Sequence, residues 1–312
     1  MRKWLALAAA GVMALGVTAC GDDDSEGGGG GGGGDLSGNI RIDGSSTVQP
    51  FAEAAAELFN EENSGVKVTV GGAGTGDGFE KFCRGETQIS DASRAIEEDE
   101  TKLCTQGKVK PVEVQVANDG ITVVTNKDFK VDCLTTDQLK KVFGKGAKAN
   151  NLSEVDGKLP DQELALFTPG TESGTFDFFT EQVNGEEGVQ RTAGIQTSAD
   201  DNVLVTGVSG EDGGLGYFGF SFYDQNKDKL NAVSVDGGGG CVTPSVETIQ
   251  SGDYKPLSRP LFMYPSEAAL KKPEVKAFLD FVAENYAEIA DVAKIVPMNE
   301  EQAGKAKSAL GG

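Results

Sequence analysis

Histidine is absent from the 312-residue chain. Without it, neither Ser-His-Asp nor Cys-His catalysis can be built, and the commonest protein ligand of transition metals is missing. Beyond the first twenty residues no segment reaches the run of about 18 apolar residues that a membrane-spanning helix needs. None of the five cysteines forms a CxxC pair, so zinc spacing is lacking too. The glycine-rich loops do not carry nucleotide signatures: "GTESGTF" has no lysine for a GxxxxGK[ST] motif, and "GGAGTGDG" lacks the GxGxxG spacing. Positive charge is scarce as well, with 28 Lys and Arg against 49 Asp and Glu and a formal charge of −21. That argues against nucleic acid or anionic lipid as a partner drawn in by long-range attraction, and is consistent with a hydrated, soluble surface.

The chain opens with "MRKWLALAAAGVMALGVTAC", a basic start, an apolar run and small residues before Cys20, which predicts a lipoprotein leader over 1–19 and lipidation of Cys20. Loss of that leader, with Arg2 and Lys3, takes the charge from −21 to −23. "GDDDSEGGGGGGGGD" then predicts a flexible tether over 20–37, whose eight glycines span about 15 Å as a random coil. The expected location is extracytoplasmic, anchored by lipid to the cell membrane. Four cysteines remain, Cys83, Cys104, Cys133 and Cys241, an even number in an exported chain and so a set of two disulfides.

From residue 38 onward, alternating β-branched runs give way to segments of helical periodicity, which predicts an α/β layer architecture with mainly parallel pairing. Two long β-rich stretches stand apart, 109–126, interrupted at Asn118, Asp119 and Gly120, and 257–265. They suggest two lobes, residues 38–118 with 259–312 and residues 119–258, the chain crossing out near 118 and back near 258. Three cysteine connectivities are allowed; pairing 83 with 104 and 133 with 241 is favoured because it leaves the lobes free to move.

Three strand-to-helix junctions share one chemistry: "DGSSTVQPF" at 43–51, "GGAGTGDGF" at 71–79 and "GTESGTFDFFTE" at 170–181. A helix N-terminus presents unpaired N–H groups and the positive end of its dipole, hydroxyls add donors, and glycine lets a ligand approach the backbone. Ordinary capping explains one such turn; three together point to an oxyanion site.

Those motifs, with "ISDASRAI" and the leader, closely resemble the PstS-type phosphate-binding lipoproteins of bacterial phosphate ABC transporters over nearly all of residues 38–265. The resemblance implies a two-lobed periplasmic-binding-protein clamshell (type II), each lobe a mixed, mainly parallel sheet flanked by helices, closing on one dehydrated phosphate. It implies Ser46 and Thr47 as first-loop ligands, Val48 as a backbone N–H donor, Thr75 as the second-loop hydroxyl, and Ser173, Gly174 and Thr175 as donors from the other lobe. The family pattern places an arginine where Pro169 stands and an aspartate where Arg94 stands. The cation is therefore expected to have moved to Arg94, as a bidentate phosphate contact, unless Arg94 pairs with Asp91. The carboxylate that accepts the phosphate proton is then open between Asp91, Asp119 and Glu172. No cofactor, no metal and no nucleic acid are expected, the partners being phosphate and permease subunits, and the chain a monomer rather than an enzyme. A receptor for another tetrahedral oxyanion (sulfate, arsenate, molybdate), a phosphatase-like enzyme and an adhesive surface lipoprotein are the alternatives.

Overall fold

The computed structural model describes residues 36–311. The leader over 1–19, Cys20 and all of the tether but its last two residues lie outside the described residues. In chain order the elements are β1 (Gly38–Gly44), α1 (Gln49–Glu62), β2 (Val66–Val70), α2 (Thr75–Cys83), β3 (Ile89–Ala92), α3 (Glu98–Gln106), β4 (Val114–Asn126), β5 (Cys133–Thr135) and α4 (Thr136–Phe143). There follow β6 (Ala165–Pro169), α5 (Gly174–Phe179), β7 (Ile195–Ser198), α6 (Asp201–Gly210), β8 (Gly214–Gly219), α7 (Phe220–Asp224), β9 (Leu230–Asp236), α8 (Val246–Ser251), β10 (Ser258–Pro265), α9 (Pro273–Val292) and α10 (Glu300–Ala309). Among the described residues no helix is long and apolar enough to cross a membrane.

The strands run in the order β2-β1-β3-β10-β4-β8-β6-β7, with β9 pairing β4 and β5. Pairing is parallel among β1, β2 and β3 and among β6, β7 and β8, and antiparallel wherever β4 or β10 takes part. This mixed α/β architecture is the fold expected from the sequence, with the parallel pairing at both sides and the antiparallel pairing in the middle.

Four apolar clusters sort onto the two ends of this sheet. At one end, α1 and α9 bury Phe51, Phe59, Val275 and Phe278 against Ile40, Ile42 and Leu261, and α2 places Phe79 and Phe82 on the opposite face with Tyr264. At the other end, α4 and α5 bury Leu139, Phe143 and Phe179 against Ile121, Val123 and Tyr217, and α6 covers the reverse face with Leu204, Val205 and Val208. Strands covered on both faces lose the polar alternation of a half-exposed sheet, which is why β3 is buried at all four positions.

Residues 118–120, expected to interrupt the β-rich stretch, lie inside the 13-residue β4. Gly120, Asp119 and Asn118 pair with Ser258, Arg259 and Pro260 of β10. Their turn-forming tendency is overruled locally: the Asn118 amide donates to Pro297 O and Gln302 Oε1, and a Cβ on Gly120 would stand 2.4 Å from Ile249 Cδ1. The helix that starts at Gly174 divides after Phe179, because the Thr180 hydroxyl donates to the carbonyls of Phe176 and Asp177 and the chain widens into a π-turn over Thr180–Asn184. The last long helix, α9, continues to Val292 across non-helical geometry at Asn285.

Cys83 pairs with Cys104 and Cys133 with Cys241, at sequence separations of 21 and 108. Loop-closure entropy makes the second bond the stronger constraint on the unfolded chain, at about 5 kcal/mol against about 3 kcal/mol for the first. The pair Cys133→Ser/Cys241→Ser therefore lowers urea-unfolding stability more than Cys83→Ser/Cys104→Ser. The reverse ranking would show that strain or residual structure, not loop length, governs these bonds.

Candidate functional site

Ligands of open α/β sheets gather outside the carboxyl ends of the strands, and here those ends carry the hydroxyl-rich junctions. At the end of β1, Gly44 has φ +148° and passes so close to β3 that a Cβ would stand 2.1 Å from the Asp91 carbonyl oxygen. Glycine alone tolerates both, and the approach lets the Ser45 N–H donate to that carbonyl at 2.9 Å. The turn that follows delivers Ser46 and Thr47 to the mouth of α1. From the other end of the sheet, Gly174 meets them: a Cβ on Gly174 would stand 2.3 Å from Thr47 Oγ1 and 2.9 Å from Ser46 Oγ.

Thr75 begins α2, with Oγ1 3.2 Å from Ser93 Oγ. Thr75, Ser46, Thr47, Arg94 and Gly174 line one cavity of about 510 Å³. Ser46, Thr47 and Gly174 also line an adjoining cavity of about 310 Å³, together with Ser173, Thr175, Asp119 and Glu172. The hydroxyl and glycine residues singled out in the sequence are thus gathered at one cleft. Ser173 caps α5, its Oγ accepting from the Thr175 N–H at 3.2 Å. Val48 is different: its side chain is fully buried among the apolar residues of α1, and its N–H donates to Ser45 O at 3.1 Å, inside the turn. The donor role expected of it belongs to the turn instead.

Arg94 lines the larger cavity, but its fork is engaged elsewhere. Both Nη atoms donate to the Glu100 carboxylate at 2.8 Å, and Nε lies 3.3 Å from Glu97 Oε1. Glu97 and Glu100 are the two members of the capping box of α3, so Arg94 braces a helix start; its side chain remains 39% exposed. Neither the free bidentate contact nor the pairing with Asp91 expected for it is present.

The cation at the centre is Arg259, which the sequence reading missed. Its Nη2 donates to Thr47 Oγ1 at 2.7 Å and to Gly174 O at 3.3 Å, its Nε to Asp119 Oδ2 at 3.2 Å, and the guanidinium lies 3.8 Å over the Phe178 ring. One planar side chain so touches the β1–α1 turn, β4 and α5 at once. Burial lowers its pKa, and the Asp119 carboxylate acts in the opposite direction. Asp177, Glu181 and Glu187 complete an acidic wall of the larger cavity. Burial, together with Glu187, raises the pKa of Asp177.

Of the three carboxylates singled out, Asp119 is taken by Arg259 and Glu172 is exposed. Asp91 is fully buried, and neither of its side-chain oxygens has a hydrogen-bond partner. Burial pushes its pKa well above the ordinary carboxylate range, and the nearby Asp43 pushes it the same way. Among the described residues no group of three or more Cys, Asp and Glu is placed to hold a metal ion.

Residues 30–285 match the family model of the PBP superfamily domain. The chain belongs to the PBP superfamily, among its PstS-type members. It is 40% identical over 309 residues to the phosphate-binding protein PstS of Staphylococcus aureus, spanning 96% of this chain and 90% of that one. It is 43% identical over 262 residues to protein SphX of Synechococcus elongatus, spanning 83% and 77%. A crystal structure from Planctomyces limnophilus, described as a possible phosphate binding protein, superposes with a TM-score of 0.83 at 40% identity, over 88% of this chain and 98% of that one. A phosphate ABC transporter substrate-binding protein from Clostridium perfringens, so described and carrying bound phosphate, gives 0.57 at 29% identity over 84% and 100%. Within this PstS-type chain the cleft is therefore built around a different arginine from the one its motifs suggested.

Removing the guanidinium strands a carboxylate that is only 10% exposed. In phosphate-free buffer, Arg259→Met lowers stability by about 3 kcal/mol, and adding Asp119→Asn restores about 1 kcal/mol or more. Urea titrations of the single and double variants measure this. Strictly additive losses would show that the two side chains are not energetically coupled.

Proposed function

We propose that this protein binds inorganic phosphate between two lobes and delivers it to the permease of an ABC transporter. The observation that carries the reading is Arg259, a buried guanidinium facing Thr47 on one side of the cleft and Gly174 on the other. A phosphate seated there replaces those neutral acceptors with charged oxygens, which take shorter and stronger hydrogen bonds from guanidinium and hydroxyl donors. Ser46, Thr47, Thr75, Ser173 and the α5 backbone at Gly174 and Thr175 complete the donor set. The printed names of the relatives, phosphate-binding proteins, support the same ligand.

The lobes are residues 38–118 with 259–312 and residues 119–258. Support comes from the separate apolar clusters at the two ends of the sheet, from β4, which contributes to both, and from its pairing with β10. Bending where those two strands pair would open the cleft without disturbing either core, and neither disulfide crosses the division. The protein acts as a monomeric receptor rather than an enzyme, held outside the cytoplasm by lipid on Cys20 and the tether that follows.

Asp91 is the carboxylate that shares the phosphate proton. It is buried and unpartnered behind Ser45, whereas Asp119 already serves Arg259. Ionised beside the bound ligand, this carboxylate accepts the proton that phosphate carries near neutral pH, whereas sulfate brings none, so the site favours the first over the second.

Calorimetric titration of dialysed protein with phosphate and sulfate tests this. Phosphate binds at micromolar concentration or tighter; Arg259→Lys, which keeps the charge and loses the fork, weakens it about a hundredfold, and Arg94→Ala weakens it less than about threefold. Asp91→Asn narrows the preference for phosphate over sulfate at least about tenfold. No phosphate binding in the parent protein would end the proposal. Equal effects of the two arginine variants would return the contact to Arg94, and an unchanged preference in Asp91→Asn would remove Asp91 from the site.

A further inference from the structure

The segment 139–150, "LKKVFGKGAKAN", carries four lysines and no acid in a chain whose overall charge is −21. Lys140 and Lys141 close α4, where cations favour the helix dipole, but Lys145 and Lys148 lie in the loop beyond, where that explanation does not reach. All four line a single cavity of about 530 Å³, whose far wall is formed by Asn184, Glu186 and Val189. None of the four makes an ion pair in the structure of the described residues. Lys141 donates to Val155 O at 3.3 Å, and Lys140 reaches across to the far wall, its Nζ 3.7 Å from where a Cβ on Gly185 would stand.

Two buried groups next to the cavity add to its character. Arg191, 5% exposed, spends its guanidinium on the carbonyls of Val142, Ala149 and Ala193 and on Asn150 Oδ1, with no carboxylate among its partners. Its charge therefore stands uncompensated beside Ala149 in the wall. Asn184, 9% exposed, fixes its amide on Val189 O and leaves Oδ1 without a partner. Glu154 and Glu186 are the acids of the lining, and Glu154 already accepts from the Asn150 N–H.

We propose that this cavity is a second anion site, separate from the cleft, for a compact anion carrying several phosphoryl groups. Four ammonium groups around one concavity suit charges spaced along a short chain of phosphates, since each ammonium is a mobile point donor rather than a planar fork. A single phosphate would meet only part of the ring. A phosphorylated lipid headgroup offers the same chemistry, but a net charge of −21 disfavours approach to an anionic membrane surface and leaves a free oligophosphate.

The test is calorimetric titration of the full chain with inorganic triphosphate, in the presence of saturating inorganic phosphate and again in its absence. One triphosphate per chain is expected under both conditions. Lys140→Gln/Lys145→Gln/Lys148→Gln, which alters exposed side chains only, should weaken it at least tenfold and leave the thermal melting temperature and phosphate binding in the cleft unchanged. Absence of triphosphate binding, or equal affinity in the triple variant, overturns the proposal. Sedimentation with anionic phospholipid vesicles forms the second arm: vesicle binding that depends on the three lysines, without triphosphate binding, overturns it in favour of a membrane surface. Because triphosphate is titrated with and without phosphate, failure of the cleft to bind phosphate is read separately.

Discussion

Arg259 takes a positive charge to a place where water hardly reaches, with 13% of its side chain exposed, and the centre of the cleft is arranged around that charge. A buried guanidinium needs acceptors on its edge and tolerates an aromatic face on its plane. Asp119, Thr47 and Gly174 supply the first and Phe178 the second. These partners sit on β4, the β1–α1 turn and α5, so satisfying one side chain fixes the relative position of three elements. The missing Cβ at Gly174 has the same purpose, since bulk there would push α5 away from Thr47, while the close passage of Gly44 over β3 sets the start of the turn that carries Thr47.

Long-range electrostatics run against anion binding in this molecule. The net charge is −21, and Asp177, Glu181 and Glu187 stand in the wall of the cleft. Affinity for a dianion must then come from donors at hydrogen-bond distance, which salt screens little, rather than from the field of the whole protein. A site built this way selects by geometry and proton count. Asp91, close behind the β1–α1 turn, has its carboxyl kept away from water and from any hydrogen-bond partner.

Much of this was legible from local sequence. The hydroxyl and glycine junctions each lie within a few residues of one another, and α1, α2 and α5 start from them. The disulfides join the cysteines that fall within each end of the sheet. Arg259 was not legible, because its partners are 140, 212 and 85 residues away and "LSRPLF" in isolation reads as a strand with one charge. Arg94 misled for the opposite reason. It stands in a motif, while the carboxylate that claims it, Glu100, is six residues on, in the capping box of α3. Asn118, Asp119 and Gly120 form a turn by composition and a strand by context, since their side chains are satisfied by residues distant in sequence.

We propose that one arginine on the returning strand, rather than one in the motif loops, holds the ligand. A crystal structure of the protein with phosphate bound measures this most directly. Phosphate oxygens are expected within about 3 Å of the Arg259 guanidinium and the Thr47 hydroxyl, with Arg94 still on Glu100. Phosphate held by Arg94, with Arg259 remaining on Asp119 and Gly174 and out of contact with the ligand, would contradict it.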